Sequence, residues 1–78
     1  METRVILEVP LADYHLCLTR LPLNSPAYKL LKNGVVVRND KDEEVVHILC
    51  ETTMAVEIWR AFRRGCPEAL DRIRELPV

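Results

Sequence analysis

The residues of this chain best placed for chemistry are its three cysteines. Cys50 closes the apolar run Val45-Val46-His47-Ile48-Leu49, where a strand pattern gives way, after Glu51, to threonines that open a helix pattern. Backbone amides at a helix start favour an anion, so a thiol there is drawn below its free pKa of about 8.5 and becomes nucleophilic. Glu51 opposes that effect, and cysteine also packs well as a small buried hydrophobe. Packing therefore outweighs reactivity, with Cys50 kept as a thiol candidate. Cys66, in Gly65-Cys66-Pro67-Glu68, stands at a second helix start, which an ordinary corner between helices explains equally well. Thiol chemistry on this chain is a sulfur carrier or redox protein, with Cys50 as nucleophile and Cys66 or Cys17 as resolving partner.

Metal binding would have to use His15-x-Cys17 and His47-x-x-Cys50. On strands, His15 and Cys17 share a face while His47 and Cys50 take opposite ones. Zinc sites use tighter, paired spacings, so no metal is expected. No Ser-His-Asp or paired-carboxylate arrangement converges, and two widely separated glycines leave no phosphate-cradling loop. Catalysis is not the expected role, and no cofactor is implied.

A third chemistry is electrostatic. Lys29, Lys32, Arg60, Arg63 and Arg64 gather at two helix ends beside Tyr28 and Trp59, a set that could neutralise and stack on a nucleic acid. The net charge of −1 weighs against it, because dedicated nucleic-acid binders are strongly basic.

The elements that must position these residues follow from periodicity and punctuation. Val5-Ile6-Leu7-Glu8-Val9 is β-branched and stops at Pro10, as a strand does. Leu11–Leu21 is ambiguous: Tyr14, Leu16 and Leu18 alternate with polar neighbours, whereas Leu11, Tyr14, Leu18 and Leu21 fall at helical spacing. Strand is the reading adopted. Asn24-Ser25-Pro26 starts a helix that runs from Ala27 to Asn33 and ends on Gly34. Val35–Arg38 and Glu44–Cys50 are strands joined by the polar turn Asn39–Glu43. Thr52 or Thr53 caps a helix from about Met54 to Arg64, its apolar stripe formed by Met54, Ile58, Ala61 and Phe62. A last helix opens at Pro67, turns Ala69, Leu70, Ile73 and Leu76 toward the core, and stops at Pro77.

Tyr28-Lys29-Leu30-Leu31-Lys32-Asn33-Gly34 is echoed by Trp59-Arg60-Ala61-Phe62-Arg63-Arg64-Gly65, each running from an aromatic through basic and apolar residues to a glycine suited to a left-handed cap. The echo suggests two similar halves. The expected fold is α+β: a small, mostly antiparallel sheet in ββα–ββαα order, with possible internal duplication and helices packed on one face.

At 78 residues the chain is read as one globular domain over 1–78, burying roughly 60–65% of its unfolded surface. An apolar content of 49% exceeds what so few helices cover, and the sheet has two edges to protect, so a homodimer is expected. Trp59 and Phe62, beside Arg60 and Arg63, are the expected interface, since aromatics next to arginines make binding hot spots. The function this implies is a self-associating interaction or regulatory module whose partner is a second copy or another protein. Three cysteines are too few for a disulfide scaffold. Met1-Glu2-Thr3-Arg4 has no signal-peptide character, and Val5–Val9 is too short to span a membrane. A reducing cytoplasm and no membrane association are the corresponding expectations.

Overall fold

A β-branched run that stops on proline makes the first element, β1 (Arg4–Pro10), in the computed structural model, which describes residues 3–78. Met1 and Glu2, the start of the segment read above for targeting, lie outside the described residues. Pro10 ends the strand and directly precedes α1 (Leu11–Arg20). Here helical spacing prevails over alternation, so the expected strand at Leu11–Leu21 is corrected to a helix. Tertiary contacts decide it: Leu11, Leu18 and Leu21 pack against the core, and the buried Tyr14 hydroxyl donates to the Leu31 carbonyl oxygen at 2.5 Å. Asp13 in the first turn and Arg20 in the last suit the helix dipole.

Ser25 caps α2 (Pro26–Leu31) as expected, its hydroxyl oxygen accepting from the Tyr28 amide at 3.1 Å. The hairpin of β2 (Val35–Arg38) and β3 (Glu44–Glu51) also matches the sequence reading. In its turn, the Asn39 side-chain oxygen accepts from the Lys41 and Glu43 amides, and Asp42 takes a positive φ of 61°. Asp is among the few residues that tolerate that conformation.

The long helix α3 (Thr52–Gly65) starts before Met54 and has no threonine cap. Thr52 is its first residue, and the Thr52 hydroxyl donates to the Thr3 carbonyl oxygen at 2.8 Å, tying the start of α3 to the segment that precedes β1. After Cys66 the chain makes one 3₁₀ helix (Pro67–Arg72) and then becomes β4 (Arg74–Pro77). The expected helical course through Ile73 and Leu76 is thus corrected. Pairing with β1 from Val5↔Pro77 to Glu8↔Arg74 satisfies a strand edge that would otherwise be open.

The four strands form one antiparallel sheet in the order β2-β3-β1-β4, and the fold is α+β with its helices packed on one face of the sheet. Helix-bearing crossovers link β1 to β2 and β3 to β4, which is the split β-α-β, ferredoxin-like arrangement. The sheet gives the core Leu7, Val9, Val46, Ile48 and Cys50, all from alternate positions. Phe62, Ile58 and Leu31 cover them, each fully buried.

The chain therefore does divide into two β-α-β halves, but not along the echo. Val5, Leu7 and Val9 correspond to Val46, Ile48 and Cys50 at an offset of 41 residues. The echoed segments occupy unlike places: Tyr28–Gly34 covers most of α2 and the following turn, whereas Trp59–Gly65 is the end of α3, whose counterpart is α1. Neither glycine has a positive φ, so the expected left-handed caps are absent. Gly34 is needed for another reason: a Cβ there would run into the Val46 side chain.

Candidate functional site on the open face of the sheet

The intervening positions of β1 and β3 point away from the helices, and none of them joins the buried cluster. Register places them in rows across the sheet. One row is Val35, His47, Glu8 and Arg74, with one residue from each strand. On one side of it lies an apolar row of Leu49, Ile6 and Leu76. On the other side lies Val37, Val45 and Pro10.

The centre of the polar row is Glu8. Its residue is only 8% exposed although it stands on the face without helices. A carboxylate removed from water needs partners, and two flank it: His47 Nε2 at 2.9 Å and Arg74 at 3.7 Å. A groove of about 630 Å³ runs beside this cluster, lined by Glu8, His47, Arg74 and Leu76 together with residues of the hairpin turn and the end of the 3₁₀ helix. At its rim Arg72 grips the buried Asp13 with two hydrogen bonds of 2.9 Å, an arrangement that raises the guanidinium pKa. The described residues lining the groove include no serine, threonine, cysteine or tyrosine. Its central charges are paired with one another and set between two apolar rows.

The two halves agree where they face the core and differ where they face outward. At the offset that superposes the inward residues, Glu8 corresponds to Leu49 and Ile6 to His47. Each half accordingly contributes one apolar and one polar position to neighbouring rows of the open face. Leu49 is 55% exposed and Val35 61% exposed, which makes them the most accessible apolar side chains on this face.

The residues singled out in the sequence are scattered by comparison. Cys17 and Cys66 form a disulfide that links α1 to the start of the 3₁₀ helix, with Cα atoms 6.0 Å apart. With both sulfurs in that bond, neither proposed resolving partner is a free thiol. Cys50 is free and buried. Burial raises its thiol pKa, with the charge of Glu75 adding to the effect, which opposes activation at the α3 start. His47 and Cys50 do take opposite faces of β3, His15 is exposed on α1, and Cys17 is buried. Phe62 is fully buried in the core and cannot anchor an interface, which corrects that expectation. Trp59 is half-buried against the core, Arg60 bonds Glu57 at 3.2 Å, and Arg63 is exposed.

Glu8, Arg74, Ile6, Leu49 and Leu76 were not selected from sequence. The available signal was a lone carboxylate within the apolar run Val5–Val9. Its partners are strands away, and the His47 contact spans 39 residues.

No family model, curated protein or solved structure matches the chain. The topology defines an α+β domain of the split β-α-β class, and topology alone fixes no activity. No helix of the described residues is long and apolar enough to cross a membrane.

Proposed function

We propose that this protein is an interaction module that self-associates through the open face of its sheet. The observation that carries the reading is the apolar row Leu49-Ile6-Leu76, exposed at Leu49 and adjoining charges that are already paired. Covering that row removes apolar surface from water without stranding an unpaired charge, the combination that favours association. A second copy fits the chemistry. A two-fold axis over the Ile6–Leu49 row sets apolar side chains against their own kind. It also brings the row holding Arg4 and Glu51 toward the partner's row holding Glu8 and His47, so that charges of both signs meet.

Thiol-based sulfur transfer lacks support, because Cys50 is buried with a raised pKa and the other two cysteines are bonded to each other. A cytoplasmic location, expected from composition, is opposed by that same bond, since disulfides persist in oxidising surroundings.

Sedimentation equilibrium tests the reading. The expected result is a dimer at tens of micromolar that Leu49→Glu converts to a monomer with unchanged circular dichroism. A wild-type monomer across the whole accessible range, or a dimer indifferent to Leu49→Glu, overturns it.

A further inference from the structure

On the other side of the molecule, α3 and the connection between α1 and α2 enclose a pocket of about 340 Å³, lined by Arg20, Arg60 and Arg64 with Glu57 as the single acid among its described residues. The sequence grouped Arg60 and Arg64 as a helix end; the fold adds Arg20, brought in from the end of α1. We propose that this pocket binds a small phosphate-bearing molecule.

Local pairing accounts for two of the three guanidinium groups. Arg20 donates to the Gly65 carbonyl oxygen at 2.8 Å and to Glu68 at 2.9 Å. Arg60 meets Glu57 at 3.2 Å. Arg64 has no ion-pair partner among the described residues, so the lining carries uncompensated positive charge. Arg60 and Arg64 stand one helical turn apart, where like charges repel unless an anion lies between them. Ser25 also lines the pocket; its oxygen accepts from the Tyr28 amide, leaving the hydroxyl proton to donate.

Guanidinium groups match phosphate oxygens in paired, planar geometry, which a lysine cannot reproduce. The remaining walls include Leu21, Pro22, Pro26 and Ala61, suited to a compact organic body attached to the phosphate. The volume lies near the lower end of ligand pockets, roughly 300–1,000 Å³, which fits a phosphate monoester or a diphosphate. This pocket is separate from the open face of the sheet, so it stands whether or not the chain dimerises there.

The test is a titration with inorganic pyrophosphate at constant ionic strength, followed by backbone amide shifts. Saturable shifts confined to Ser25, Ala61, Arg64 and Gly65 are expected. Arg64→Gln weakens binding about tenfold or more, the loss of a charged hydrogen bond, and Arg64→Lys restores part of it. Lys29→Gln, an exposed cation outside the pocket, leaves affinity unchanged. Arg60→Gln serves as the second variant should Arg64→Gln disturb the fold. Shifts that never saturate, that spread over other basic residues, or that Lys29→Gln and Arg64→Gln reduce equally overturn the proposal.

Discussion

His47 and Glu8 stand opposite one another on the two central strands, with Nε2 of the imidazole 2.9 Å from the Glu8 carboxylate. Around this contact the open face changes from apolar to polar between alternate residues of each central strand, Ile6 to Glu8 and Leu49 to His47. The carboxylate is held out of water by its neighbours rather than by a covering helix, so its stability depends on them.

The energetic link between the two is measurable. Glu8→Ala is expected to cost about 1–3 kcal/mol, because it leaves the half-buried His47 side chain without its partner. His47→Ala is expected to cost less, about 0.5–1.5 kcal/mol, since Arg74 still attends the carboxylate. A double-mutant cycle by urea unfolding should return a coupling of about 1 kcal/mol. Additive losses would show that the contact contributes nothing.

The disulfide sets a second expectation. Cys17 and Cys66 are separated by 49 residues, and closing a loop of that size restricts the unfolded chain by roughly 4 kcal/mol at most. Reduction, or Cys17→Ala with Cys66→Ala, should lower stability by about 2–4 kcal/mol. Urea midpoints with and without reductant decide the point; identical midpoints would contradict it.

Alkaline pH should weaken the fold in two stages. Burial raises the pKa of both Cys50 and Tyr14, so the folded state keeps protons that the unfolded chain releases. Their contribution is complete below about pH 8.5, the unfolded thiol value. It declines as pH rises through that point, and again beyond about pH 10 for the tyrosine. Melting temperatures from pH 7 to 11 should trace the decline, and Cys50→Ala should remove its first stage. A first stage unchanged in that variant would refute the assignment.

The two glycines that look alike in sequence should behave in opposite ways. Gly34→Ala drives a methyl group into Val46 and is expected to cost about 1–3 kcal/mol. Gly65→Ala meets only ordinary contacts at 3.6 and 3.8 Å and should stabilise by about 0.4–1 kcal/mol. Thermal melts of the pair give the comparison directly; equal effects would mean that the close approach over Val46 is not rigid.

How much of this was legible depends on where the deciding contacts lie. The hairpin of β2 and β3 and the Ser25 cap are local, and their residues announce them. Leu11–Arg20 carried two periodicities, and only distant partners, Leu31 for Tyr14 and Cys66 for Cys17, select the helical one. Ile73 and Leu76 fit a helix face by spacing, but the open edge of β1 draws Arg74–Pro77 into the sheet. Glu8 was hidden for the same reason, since its ion-pair partners come from β3 and β4. Cys50 and Phe62 were hard to place from sequence because burial, which withdraws both from the surface, is a property of the assembled core.

The order of the strands has a consequence for how the molecule comes together. β1 lies between β3 and β4, and β3 between β2 and β1, so every hydrogen-bonded pairing joins a strand of the first half to one of the second. A fragment cut in the hairpin turn would hold two strands that never touch each other in the native sheet. Neither fragment is then a smaller foldable unit. Assembly must be concerted, with the sheet completed by interleaving rather than by docking two finished pieces.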